Sequence, residues 1–255
     1  MSERIETFEI GETVRIIAAT RSGDITVVSG DPGSVKLVID GSGADLFEVD
    51  QLGDVISIEP RRKGRFLGSS ADVILKVPPT ASLELSCSSG DINVQSPVVE
   101  MRASVASGDV RVDSVQTTCK VNTASGDTKI SSALDAEINT ASGTVRLGSI
   151  GRNLRVNAAS GNVYVDEVGE SAIFKVASSD VRISSFLGTE IRHKAMSGDL
   201  HLGIPPRRTI EMDFSSLSGR MRNKLPKGDG SPTEKLVSVS VTSVSGDVTM
   251  LGAGI

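Results

Sequence analysis

Residues 103–130 read ASVASGDVRVDSVQTTCKVNTASGDTKI and hold Ser-Gly-Asp twice, with Gly108 and Gly126 spaced by 18. Around each tripeptide, apolar and polar residues alternate. After the glycine come Val110 and Val112 in one copy, Thr128 and Ile130 in the other, with Arg111 and Lys129 between them. Before it come Ala103, then Cys119 and Val121, with Lys120 between the last two. Period two with one apolar face is the pattern of a half-buried strand. Each copy therefore reads as strand, sharp corner, strand, with glycine supplying the turn and Asp or Ser bonding nearby backbone.

The pattern extends both ways. The corner glycine recurs as Gly90, Gly108, Gly126, Gly143 and Gly161, then as Gly198, Gly219 and Gly246, with Ser179 standing in the slot once. Two residues on lie Ile92, Val110, Thr128, Val145, Val163, Val181 and Leu200; five residues before lie Leu85, Ala103, Val121, Ile138, Val156 and Phe174. A fixed period of this length marks a repeat architecture. Alternating strands alone would also permit an antiparallel sandwich, but a near-constant 18-residue spacing stacks like residues only in parallel coils. The expectation is an all-β chain, a parallel β-solenoid of about 18 residues per rung. Residues 1–80 carry one Ser-Gly-Asp, at 22–24, and strand patterns of irregular spacing, so they read as an irregular β N-terminal cap. Arg61, Arg62, Lys63 and Arg65 read as a hairpin loop there. Residues 81–255 are the solenoid, interrupted by a Pro/Gly-rich loop at 225–235, after which KLVSVSVTSVSGDVTM reads as the last rung.

Composition narrows the function classes. With 255 residues, no Trp, one Tyr and a core of Val, Ile, Ala and Thr, the chain suits narrow, closely spaced sheets. A net charge of −5 gives no electrostatic case for a nucleic-acid partner. MSERIETFEI has no apolar segment behind a basic one, and no apolar run is long enough to span a bilayer. The localisation expected is cytoplasmic, with the cell surface by a non-standard route as the alternative. Cys87 and Cys119 lie in inward slots two rungs apart, about 13 Å of strand out of line, beyond the ~7 Å Cα separation of a disulfide. They read as buried free thiols, and no cofactor or metal site is expected.

Four groups invite a chemical reading. The corner pairs Gly90–Asp91, Gly108–Asp109, Gly126–Asp127 and Gly198–Asp199, with Asp24, Asp180 and Asp247, could stack carboxylates about 4.8 Å apart for Ca²⁺. Thr144, Asn162 and Arg220 interrupt that ladder, and turn formation is the reading preferred. The basic stripe Arg111, Lys129, Arg146, Arg182, His201 and Arg222 is a candidate interaction surface for a polyanion, but Asp lies two residues away on the same face and cross-rung pairs would neutralise it. Asn122, Asn139 and Asn157 read as a structural amide ladder. Glu84, Glu100 and Glu137 point outward without clustering, and His193 falls on an inward slot, so a glycan-active enzyme is the least favoured reading.

The run VPPTASLELSCSSGDINV (77–94), followed by ASGDVRV, ASGDTKI, ASGTVRL and ASGNVYV, resembles the bacterial putative-adhesin β-strand-repeat family, Toastrack, a domain of unknown function. The resemblance implies a β-solenoid, no established catalytic residue, and an association with envelope-stress membrane proteins. The function expected is a non-catalytic scaffold or protein-interaction module, binding a protein partner or itself, with indirect membrane association. The alternative is an adhesin-like surface or glycan-binding module.

Overall fold

The computed structural model describes residues 2–61, 70–225 and 235–253. The chain forms two compact units, residues 1–130 and 131–255, each built almost wholly of strands. Among the described residues the one helical piece is a 3-10 turn at Ala44–Leu46, and no helix is long and apolar enough to cross a membrane.

In the first unit the strands are β1 (Ser2–Glu9), β2 (Val14–Ser22), β3 (Ile25–Ser29), β4 (Ser34–Gly41), β5 (Phe47–Leu52), β6 (Val55–Pro60), β7 (Ala71–Val77), β8 (Ala81–Ser89), β9 (Ile92–Val94), β10 (Glu100–Ser107) and β11 (Val110–Ser125). The unit boundary lies within β12 (Thr128–Ser142). The expected parallel stacking is present. β10 lies parallel between β8 and β11, so Leu85, Ala103 and Val121 form one inward row. Ile92 and Val110 form another on the far side of the corner. All five are buried. The broader corner closes without a break in β11 and β12, which run through it as single long strands.

The Ser-Gly-Asp at 22–24 is a regular rung. β2 pairs parallel with β8 and β3 with β9, although 67 residues separate Asp24 from Asp91. On their other side β2 and β3 meet β6 and β7, also parallel. The direction then reverses: β4 runs antiparallel to β7 and β1, and β5 antiparallel to β6. Antiparallel strands thus cover the edge that stacked parallel rungs would leave open. Arg61, the first residue of the basic stretch, lies 3.9 Å from Glu48; Arg62, Lys63 and Arg65 lie outside the described residues.

The second unit continues with β13 (Val145–Ile150), β14 (Asn153–Ser160), β15 (Val163–Val168), β16 (Ser171–Ser178), β17 (Val181–Phe186), β18 (Glu190–Ser197), β19 (Leu200–Ile204), β20 (Arg208–Ser218), β21 (Met221–Lys224), β22 (Lys235–Ser245) and β23 (Val248–Gly252). All pair parallel, with Val156 beside Phe174 and Val163 beside Val181 in the core. One expectation is corrected. The rung that is last in sequence, β22–β23, is not last in space: it inserts between β18–β19 and β20–β21. The outermost rung is therefore β20–β21. Of the loop joining it to β22, residues 226–234 lie outside the described residues.

Corner glycine is required twice over. Gly108 has φ +141°, and a Cβ there would lie 2.0 Å from the carbonyl oxygen of Gly90 in the rung beside it. At this corner the stacking leaves no room for a side chain; Ser179, the one other residue in the slot, is accommodated without the positive φ. Gly33 also has a positive φ, +81°, but faces open space. Gly108→Ala is therefore expected to cost about 3 kcal/mol, combining backbone strain with the clash, and Gly33→Ala about 1 kcal/mol from strain alone. Urea melts of the two variants check the difference.

Candidate functional site

The corner aspartates form a hydrogen-bonded ladder. In the first unit the Asp24 amide donates to Asp72 Oδ1, Asp91 to Asp24, Asp109 to Asp91 and Asp127 to Asp109, each at 2.8 Å. In the second, Asp180 donates to Asn162 Oδ1 at 3.3 Å, Asp199 to Asp180 and Asp247 to Asp199 at 2.8 Å, and Arg220 to Asp247 at 3.0 Å. A corner amide turned out of the sheet needs such an acceptor. Asn162 carries the ladder on rather than interrupting it, because its amide oxygen replaces the carboxylate. Arg220 ends it, since its side chain offers no oxygen.

The second carboxylate oxygen is engaged by arginine at several corners. Arg111 pairs with Asp109 Oδ2 at 2.6 Å and Asp91 Oδ2 at 3.3 Å, and Arg222 with Asp247 Oδ2 at 3.0 Å. For Asp91, Asp109 and Asp247 both oxygens are thus committed, one to an amide and one to a cation. That division suits a turn lock and leaves these carboxylates poorly placed to coordinate a hard cation.

The rest of the basic stripe is placed by register. Tyr164 lies between Arg146 and Arg182, and the Arg146 guanidinium sits 5.7 Å from its ring centre. His201 follows Arg182. Arg222 does not follow His201, because the inserted β23 puts Thr249 between them. The stripe is therefore broken where the rung order departs from sequence order. Asn157 donates to Asn139 Oδ1 at 2.7 Å, so the amide ladder is present across that pair.

In the first unit, a groove of about 380 Å³ runs beside Arg15, Asp54, Glu84, Glu100 and Arg102. Its carboxylates are held: Glu84 pairs with Arg15 at 2.7 Å, Glu100 with Arg102 at 3.5 Å, and Asp54 accepts the Gly11 amide at 3.0 Å. Cys87 and Cys119 are free and buried, and burial pushes the Cys119 thiol up to about 12. Thr20 donates to Cys87 Sγ at 3.2 Å, against the raising effect of burial on that thiol.

A row on the outward face went unnoticed in the sequence. Two residues before the corner, Ala159 and Ala177 are followed across the rungs by Met196, Val244 and Leu217, which are 65%, 50% and 86% exposed. The signal was present as Met-Ser-Gly, Val-Ser-Gly and Leu-Ser-Gly in place of Ala-Ser-Gly. The three stand at neighbouring corners, in the spatial order Met196, Val244, Leu217.

The fold and ladder define a class: a parallel β-solenoid whose Ser-Gly-Asp corners are its scaffold. Within that class the chain belongs to the Toastrack DUF4097 family, whose model matches residues 13–251. Similar solved structures include a putative adhesin from Bacteroides fragilis (14% identity, covering 98% of this chain and 97% of that one, TM-score 0.46) and one from Parabacteroides distasonis (12%, 98% and 97%, 0.49). Another is a putative lipid binding protein from Parabacteroides distasonis (14%, 96% of each chain, 0.39). No curated protein matches the chain.

Two predictions follow from these contacts. Asp109→Ala removes the acceptor of the Asp127 amide and is expected to cost about 1 kcal/mol, whereas Asp109→Asn, which keeps an oxygen as Asn162 does, stays within about 0.5 kcal/mol in urea melts. His193 is 1% exposed in an inward slot between Phe174 and Val241, with Nδ1 unpartnered. Burial lowers its pKa from 6.5 to about 4. Between these values the unfolded chain binds the more protons, so stability falls as pH drops through the window, by on the order of 3 kcal/mol in full. His193→Val should flatten that part of the stability–pH curve, read by thermal melts from pH 7 to 4.

Proposed function

We propose that this chain is a non-catalytic β-solenoid scaffold that binds a protein partner along the outward flank of its second unit, within a membrane-associated assembly of the bacterial envelope. The observation that carries this reading is the row Met196–Val244–Leu217. Contiguous exposed apolar residues of this size mark an interaction surface, whereas single ones need no explanation. The alanines that fill the same slot in earlier rungs show that the corner does not itself demand a large side chain. In this reading the basic stripe has a largely structural part, with Arg111 and Arg222 holding corner carboxylates. The envelope setting rests on family resemblance.

A second reading, a glycan-binding surface module, draws on the groove beside Arg15, Glu84 and Arg102, whose paired charges could accept sugar hydroxyls. Neither reading uses a general base, since the groove's carboxylates are committed to arginine or backbone. A photo-cross-linker at Val244 is expected to give one discrete protein adduct in native cells. Met196→Ser with Leu217→Ser should lower its yield about tenfold, the loss typical of a truncated anchor pair, without shifting the thermal melt. Saturable glycan binding in the groove with no protein adduct would replace this reading by the second, and glycan turnover would overturn both.

A further inference from the structure

The rung that closes the second unit differs from every other. β20 pairs with β22 on one edge, and among the described residues no strand lies against its other edge. Its inward row, Arg208, Ile210, Met212, Phe214 and Ser216, occupies the slots that are filled by buried residues such as Val237, Val239 and Val241 in the rung beside it, yet each is only half-buried. At the two ends of that row, Arg208 Nη1 and Ser216 Oγ are shielded from solvent and have no hydrogen-bond partner. A strand edge of this length, with its apolar row half open, is a template for another strand.

We infer that the free edge of β20 receives an extended segment of a partner protein in which apolar and cationic residues alternate. This inference rests on the protein-binding reading above and names the chemistry of the partner. Three observations fix that chemistry. The half-open row Ile210, Met212 and Phe214 calls for apolar side chains at every second position. On the outward side, Glu211 and Asp213 stand side by side on the edge strand, and both are exposed, which calls for cations at the positions between. The ladder ends at Arg220, so a further full rung would bring a corner amide with no carboxylate to accept it. A single strand along β20 needs no corner.

The same features argue against a second copy as the occupant. A two-fold pairing of β20 with itself brings Glu211 and Asp213 against their own kind. Like charges across a strand pair are unfavourable.

The test uses the full chain and three fluorescent eight-residue peptides in anisotropy titrations: alternating Val-Lys, alternating Val-Glu, and a block of four Val followed by four Lys. Only the alternating Val-Lys peptide is expected to bind, and Glu211→Lys with Asp213→Lys should weaken it about tenfold. Two further Val-Lys peptides, N-methylated at alternate residues in either frame, separate strand addition from charge attraction. One frame should abolish binding and the other leave it intact, because only one edge of the added strand meets β20. Equal binding of both frames, or of the block peptide, would overturn the inference, as would no binding at all. Concentration-dependent self-association in sedimentation that Glu211→Lys removes would overturn it in favour of a second copy. Failure here with the Val244 adduct retained would leave the protein-binding reading standing, and loss of the adduct alone would point to the edge as the sole contact.

Discussion

At eight points among the described residues of this protein a backbone amide at a corner donates to a side-chain oxygen of the residue beside it in the stack, and the rest of the fold accommodates that bond. The rungs must lie at strand spacing for an amide to reach a carboxylate at 2.8 Å, and at that spacing a corner Cβ would collide with the neighbouring carbonyl. The bond thus selects aspartate at one position, where Asn162 serves once, and glycine at the one before, where Ser179 stands once. The apolar rows then follow, because residues at equal distance from stacked corners must face each other.

The constraint acts on space and not on chain distance. Partners in the ladder are separated by 18 residues between Asp91 and Asp109, by 19 between Asp180 and Asp199, by 67 between Asp24 and Asp91, and by 48 between Asp199 and Asp247, with the same 2.8 Å bond in all four. Long excursions are admitted as long as the chain returns a Ser-Gly-Asp to the stack. The first unit uses its excursion to fold β4 to β7 against its outer rung, and the second uses one to insert β22 and β23.

This explains how far the sequence could be read. Inward positions such as Val121, Ile138 and Val156 were legible because period two and the 18-residue repeat both follow from local steric rules. His193 was legible as an inward residue for the same reason. Rung order near the ends was not, because adjacency in sequence stands in for adjacency in space only while the period is unbroken. Treating β22–β23 as the final rung set Arg222 beside His201, and Leu217 rather than Val244 beside Met196. The half-open row of β20 was hidden likewise, since Ile210, Met212 and Phe214 alternate as any inward row does.

The departure from sequence order has a chemical reason in the residues of the two corners. A rung inside the stack must both donate an amide and accept one, and Asp247 does both, giving its amide to Asp199 and receiving that of Arg220. The corner of β20–β21 has arginine in the aspartate slot and can only donate. Placed inside, it would leave the amide of the next corner without a partner; placed outside, it costs nothing. Arg220 therefore assigns β20 to the edge whatever its place in the chain. The same residue that ends the ladder leaves Ile210, Met212 and Phe214 half uncovered, so the end of the ladder and the open edge of β20 are one structural event.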